Sequence, residues 1–393
     1  MRQIRSLVLY LFRKTITGFR NGDKILLLLC MVATAFGCLI ISSATSYTGS
    51  IRFVIIQIVA SLMGMGLFAF ISSIDAEFFS EHRTILVAIC CFLLLLLIPF
   101  GTDNDTGNKS WLDIPLMPVD IQPAEICKLF YILITASVMA AYQNRISHPK
   151  SVIHTAFFLM LIVGLNMALS DDLGVSLIFI FIFLGMAFAG GVSLLWFIGG
   201  FGLLVVSSPF LWKYVLSDFH RDRILILFNP DIDPLGIDER YHTVRSLRSL
   251  TGGGMTGQGL FQGYRTQSGA LTAQHTDYIF SAIGEELGYV GCILTIVLLF
   301  LIVARCFWVG SRSQDYMRRL ICFGAASALI FQIIINVGMC IGVLPVIGLT
   351  LPFISYGGSS ILSLYAMLGL VSGVFARPVP TSHERYIRAP FTR

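Results

Sequence analysis

An acid, a histidine and a hydroxyl stand together in the stretch Gln274-His275-Thr276-Asp277-Tyr278-Ile279-Phe280, where a long polar loop runs into an apolar helix. An ionisable group at such a boundary is costly unless it faces water, a partner or a substrate. Asp277 is therefore the first residue to weigh. Thr276 or Asp277 can cap the helix that follows and complement its dipole. Alternatively the carboxylate heads a working surface, because Ser281, Gly284, Gly288 and Gly291 follow it at helical spacing. Such a small-residue stripe is either a seam for a neighbouring helix or a groove for a lipid chain beneath a polar headgroup.

A second group of charges lies upstream. Gln122-Pro123 reads as a helix start with proline at the first position. Glu125 and Lys128 follow within the first two turns, on neighbouring faces. They suit a local ion pair that lowers the cost of both charges, and charges at that depth are functional candidates by default. Glu285 and Glu286 lie about 12 Å below Asp277 at helical rise, where interhelical hydrogen bonding accounts for them. Other chemistries are poorly represented. His220, His242 and His275 are scattered without metal-ligand spacing, so no cofactor or metal is evident. The run at 252–259 (GGGMTGQG) resembles a phosphate loop but lacks its lysine and preceding strand. It reads as a flexible turn, or as a backbone cradle for a pyrophosphate. No nucleophile elbow is present.

The elements that must hold these residues are membrane helices. The chain has 393 residues, 56% of them hydrophobic and 12% charged, and the apolar residues fall into repeated runs of about 20. Ten spans are expected, near 24–46, 51–74, 84–100, 122–142, 152–169, 173–190, 193–214, 278–304, 319–342 and 357–376, with a tight turn at Gly190-Gly191. The expected fold is an all-α membrane domain over 24–376, between an N-terminal segment 1–23 and a tail 377–393. The basic start carries no small-residue cleavage site, so it does not read as a cleaved signal. All nine cysteines sit in or beside apolar runs and read as buried small hydrophobes. The net charge of +5 follows from where the basic residues sit, and nucleic-acid binding is not expected.

With the N-terminus cytoplasmic, the inner segments hold Arg13, Lys14, Arg20, Arg83, Arg145, Lys150, Arg312, Arg319 and Arg377 among others, while short outer connections hold little besides Arg52 and Lys109. That bias places both termini in the cytoplasm of a multi-pass membrane protein. The polar loop 101–121, the Ser170-Asp171-Asp172-Leu173-Gly174 turn, the loop 215–277 and the segment 343–357 then all face outward. Within the long loop, Phe219 and 224–228 form an apolar patch suited to lying on the membrane.

The motifs resemble those of the SEDS family (shape, elongation, division and sporulation proteins, including RodA, FtsW and SpoVE). They are GNKSWL at 107–112, QPAEICK at 122–128, Asp172-Leu173-Gly174, HTDYIF at 275–280, GEELG at 284–288 and LPFISYGGSS at 351–360, in the family's order across nearly the whole chain. The resemblance implies ten transmembrane helices and polymerisation of lipid II into peptidoglycan strands at the outer face of the bacterial cytoplasmic membrane. It also implies a class B penicillin-binding protein as partner. Asp277 matches the family's catalytic aspartate and would deprotonate the 4-hydroxyl of an acceptor sugar, which attacks the anomeric carbon of a donor on undecaprenyl pyrophosphate. Pyrophosphate leaves readily, so no paired acid is needed. Its charge needs donors, for which Arg221, Arg223, Arg240, Lys109 and Lys128 are candidates, and a divalent cation could substitute. Trp111 matches a family tryptophan suited to sugar stacking or interface anchoring. Glu125, Asp172, His275 and Ser281 complete the expected substrate-binding set.

The chain departs from the family pattern at four places. Thr272-Ala273 stands where Pro-Glu is usual, and Ser170-Asp171 where Gln-Pro is usual. Arg245 replaces a glutamine before Ser246, and Ser110 an arginine before Trp111. Asp233-Pro234-Leu235-Gly236 looks more like RodA, and GLTLP at 348–352 more like FtsW or SpoVE, so elongation, division and sporulation stay open. Two other classes also remain at this point. A lipid II transporter would need internal symmetry or broken helices. A non-catalytic scaffold of the cell-wall complex would leave the clustered charges unexplained.

Overall fold

In a computed structural model, residues 15–102, 109–113, 121–229, 233, 240–271 and 273–377 are described, the side chains of Val215 and Phe219 excepted. Most of the N-terminal segment, the tail beyond Arg377, and residues 107–108 and 234–236 of the quoted motifs lie outside the described residues. Among the described residues, ten helices are long and apolar enough to cross a membrane. They are α1 (Lys24–Ala44), α2 (Arg52–Ser72), α3 (Arg83–Phe100), α4 (Pro123–Ala141), α5 (Pro149–Ser170), α6 (Leu173–Gly190), α7 (Leu194–Tyr214), α8 (Ile279–Arg312), α9 (Tyr316–Cys340) and α10 (Gly358–Ala376). The expected architecture is present, with nine of the ten spans close to their expected limits.

Local chemistry sets the ends. The Asp23 carboxylate accepts from the Ile25 and Leu26 amides and caps α1, and Asp315 caps α9 through the Arg318 amide. Pro123 opens α4 at its first turn, and Gly191, in the left-handed region, closes α6. The most enclosed helices are α4 and α10, with 78% and 83% of their spans buried inside the protein, whereas α7 has none. α7 is tied to the bundle through Ser147, which accepts from the Ser193 amide and the Trp196 indole. The nine cysteines are free; all but Cys38 and Cys91, which are half-buried, are buried.

Two polar ends bracket the apolar core. At one, Arg305 makes a two-point ion pair with Asp23 (2.8 and 3.1 Å) and lies over Trp308. Arg377 there donates to the Ser72, Ser73 and Ile74 carbonyls at the end of α2. The other end holds a strand pair and two loop helices. Trp111-Leu112 pairs antiparallel with Gly101-Thr102, and two loop helices, Asp218–Phe228 and Tyr241–Gly253, precede α8.

The eighth span corrects the expectation of one continuous helix. It is broken at Gly288 (φ 68°, ψ −165°), a conformation open essentially only to glycine. A Cβ there would stand 2.3 Å from the Gly257 nitrogen. The hydrogen bonds missing across the break are supplied by the glycine run. Gln258 and Gly259 amides donate to the Glu285 and Glu286 carbonyls, while the Tyr289 and Val290 amides donate to the Gly254 and Met255 carbonyls. These two amides of the run are therefore committed to the protein's own backbone and are not offered to a pyrophosphate, while residues 254–256 form the turn that was expected. The piece beyond the break, about 36 Å at helical rise, is by itself long enough to cross a membrane.

Glu285 and Glu286 consequently lie in the half-helix ahead of the break rather than deep in a continuous span. Their expected hydrogen bonding holds. Glu285 accepts from the Arg265 and Thr266 amides and the Thr266 hydroxyl (2.7–3.0 Å). Glu286 accepts from Ser43 of α1 and from Gln267 (2.7 and 2.8 Å). The small-residue stripe is a packing seam: Ser281 bonds Ser246, and a Cβ on Gly284 would meet Leu250 at 2.3 Å, both partners lying on the helix Tyr241–Gly253. That helix occupies the face on which a lipid groove was the alternative.

Candidate active site

Asp277 sits just ahead of α8 without capping it. The capping position is Tyr278, with no side-chain cap, and the Thr276 hydroxyl turns back to the Ala273 carbonyl. The capping reading of Thr276 and Asp277 thus gives way. Instead the backbone around the acid is braced from α9 and the segment 343–357. The Tyr356 amide donates to the His275 carbonyl (2.8 Å), the Ser355 hydroxyl to that of Thr276 (2.5 Å), and Asn336 Nδ2 to that of Asp277 (2.8 Å). Three consecutive carbonyls are thereby fixed, while among the described residues no hydrogen bond reaches the Asp277 carboxylate. Burial pushes its pKa up from 3.8 to about 6, against the pull of the Arg223 guanidinium and with a further push from Asp172.

Asp172 caps α6 through the Val175 amide (3.0 Å), and its other oxygen accepts from Gln122 (3.2 Å) and weakly from Ser110 (3.5 Å). Burial raises its pKa, the Val175 amide lowers it, and Glu125 and Lys128 act on it with opposite signs. Those two form the expected ion pair at 2.7 Å, almost fully buried at the start of α4. The field therefore runs Arg223, Asp277, Asp172, then Glu125 with Lys128. The strand pair brings exposed Lys109 and half-buried Trp111 to the Asp172 end, since Ser110 lies between them.

Arg223 donates to the Val346 carbonyl (3.0 Å) and, with Arg240, lines a recess of about 120 Å³ walled by Ile226, Leu227, Leu344 and Val346. Two guanidinium groups over an apolar floor suit a phosphate-sized anion bearing a hydrocarbon chain. Part of the apolar patch expected to lie on the membrane thus faces this recess. Arg221, two positions from Arg223, turns away to Asp218 (2.8 Å) and the Lys213 carbonyl. His275 packs its ring between Phe53 and Tyr356, and burial lowers its pKa, so it is a neutral wedge. Ser281 is wholly buried in its bond with Ser246. Among the described residues no three His, Cys, Asp or Glu side chains come together as a metal site.

The family model for the FtsW/RodA/SpoVE cell cycle proteins matches residues 23–377. The chain belongs to that family. MrdB of Escherichia coli (strain K12), a peptidoglycan glycosyltransferase, is 32% identical over 367 residues, covering 92% of this chain and 95% of its own length. A probable peptidoglycan glycosyltransferase FtsW of Geobacter metallireducens is 29% identical, covering 93% of this chain and 98% of its own. Among solved structures, a chain of a peptidoglycan synthase complex that coordinates polymerization and crosslinking superposes with a TM-score of 0.76 at 28% identity, covering 92% of this chain and 99% of that one. The Thermus thermophilus rod shape determining protein RodA gives a TM-score of 0.66 at 25% identity, with 92% and 98% covered. This FtsW/RodA/SpoVE protein is accordingly a glycosyltransferase embedded in the membrane.

Two of its departures from the family pattern, Asp171 and Arg245, have partners in the structure. Asp171 adopts a left-handed conformation (φ 50°) and lies 3.6 Å from His220, tying the helix that carries Arg223 to the turn that carries Asp172. Arg245 bonds the Ala270 carbonyl and lies over the Tyr241 ring (3.9 Å). Sequence reasoning missed Asn336 and Gly348 and took Gln122 only as a helix start. A polar amide inside an apolar run was the signal available for Asn336.

Proposed function

We propose that this protein polymerises lipid II into glycan strands at the outer face of the bacterial cytoplasmic membrane, with both termini in the cytoplasm. The observation that carries the reading is a carboxylate that accepts no hydrogen bond among the described residues, raised to about 6 and within the field of Arg223, which lines a recess together with Arg240. A base must hold its lone pairs available and its pKa near the working pH, and Asp277 meets both conditions. It takes the proton of the acceptor sugar's 4-hydroxyl. The oxygen then bonds to the donor's anomeric carbon as the bond to pyrophosphate breaks and its electron pair leaves with the phosphate. Arg223 and Arg240 meet that charge, with Lys128 and the exposed Lys109 on the opposite flank. A divalent cation arriving with the pyrophosphate would share that role. Trp111 stacks on sugar from the strand pair, and Glu125, Asp172 and Gln122 hold the flank beside it. His275 and Ser281 serve by packing.

The partner is a class B penicillin-binding protein that crosslinks the product. A broken helix is also what a transporter would need, but the break at Gly288 is filled by the chain's own loop, so its half-helix ends are not presented to a substrate. The test is purified protein with lipid II in detergent, where there is no leaflet to cross, run with the partner added and without it. Glycan strands from the wild type and none from Asp277→Asn are expected. Undiminished polymerisation by that variant refutes the base.

A further inference from the structure

Asn336 is wholly buried in the last turns of α9, and its side-chain nitrogen donates twice, to the Asp277 carbonyl (2.8 Å) and to the Leu349 carbonyl (2.7 Å). Two acceptors on one side fix which way the amide points, since the reversed orientation would face oxygen with oxygen. The second contact is the informative one. Leu349 follows Gly348, which has φ 75°, and a Cβ on Gly348 would stand 3.5 Å from Asp277 Oδ2. One amide therefore spans the acid and the wall facing its carboxylate. The Ser355 hydroxyl, which holds residue 276, also accepts from the Leu351 amide (2.8 Å), but the contact with the residue next to Gly348 is made by Asn336.

We infer that Asn336 is a positioning residue for Asp277: it clamps the acid and the Gly348 turn into one unit and so sets the gap into which the acceptor hydroxyl enters. The inference rests on the reading of Asp277 as the base. Gly348 belongs to the same device, because a side chain there would stand in the gap.

The test is Asn336→Leu, similar in shape but without donors, assayed with lipid II and titrated by infrared spectroscopy. The protonated Asp277 carboxyl is identified as the band absent from Asp277→Asn. Turnover is expected to fall by about 10–100-fold, the loss typical of a reacting group displaced by about an ångström, with KM within about twofold. The carboxyl, no longer held beneath the turn, gains water, and its titration and the acid limb of the rate both move down by about one pH unit. A residue that merely supports the fold would reduce the folded yield and leave the titration of the folded fraction in place. Wild-type turnover and an unmoved titration in folded Asn336→Leu overturn the inference. If that variant does not fold, Gly348→Asn decides, because asparagine tolerates positive φ. Lost turnover in the folded variant supports the gap, and full turnover overturns it. Should Asp277→Asn still polymerise, the base reading fails, while the infrared titration still judges the clamp.

Discussion

Removing the charge of Asp277 should make the protein more stable while it destroys the activity. In the folded chain burial holds this carboxyl at about 6, against an ordinary 3.8. At about 1.36 kcal/mol per pKa unit, keeping it ionised costs the fold about 3 kcal/mol above pH 6. Asp277 as a residue is only half-buried, which brings the recoverable amount to about 1–3 kcal/mol. The sign follows from the raised folded value: the folded state binds the proton more tightly, so the penalty is absent below 3.8, grows from there to 6, and is complete above. Asp277→Asn keeps the shape and removes the penalty. Thermal unfolding in detergent should show the variant melting higher at pH 7.5, by an amount on the order of a few degrees. The gap should shrink to about half at pH 5 and to under about one fifth at pH 4 by the same linkage. A variant that melts at or below the wild-type temperature at pH 7.5, or a gap indifferent to pH, refutes the account of Asp277 as a charge held against its solvation preference.

The wild-type rate of polymerisation should fall about tenfold between pH 7 and pH 5, as a base titrating near 6 requires; a carboxylate at the ordinary 3.8 would give a flat profile over that interval. Gly288→Ala should lose at least about 2 kcal/mol, through a backbone conformation reserved for glycine and a contact with Gly257, read as folded yield and melting temperature. Arg305→Met leaves Asp23 buried without its partner and should cost about 3 kcal/mol, the low end because Asp23 keeps two amide donors; adding Asp23→Asn should restore part of it in the same melts. Cysteine at exposed Ser268 should react with an impermeant thiol reagent on intact cells, and cysteine at exposed Asn144 should not, which checks the orientation.

Most of the fold was legible because a membrane span announces itself by length and apolarity alone. The exception is instructive. Gly288 sits at helical spacing in a stripe with Ser281, Gly284 and Gly291, so by pattern it belongs to a seam. Its departure from the helix depends on a loop some thirty residues earlier, and backbone-to-backbone bonds of that kind leave no side-chain signature. The arginines show a second limit. Arg221 and Arg223 are equivalent in composition, but two positions along a helix turn them to different sides, and only the placement of Asp218 and Val346 separates them. Asp277, Glu125 and Lys128 were legible as costly charges, and Asp172 through the motif that resembles the family's. Asn336 and Gly348 were not, because one acts by grasping carbonyls and the other by lacking a side chain.

The brace and the free carboxylate are two sides of one requirement. A donor placed on Asp277 Oδ1 or Oδ2 would have steadied the ionised form, but it would also have lowered its basicity and filled the lone pairs that must take a proton. Here the donors go to the carbonyls of residues 275, 276 and 277 instead, so position is secured without touching the reactive group. This division also explains why the chain tolerates its departures from the family pattern. Ser110, Asp171, Arg245 and Ala273 all lie outside the contacts that α9 and 343–357 make with those carbonyls. The residues that can change are those that gather the periphery, and the ones that hold the acid are supplied by the far end of the chain.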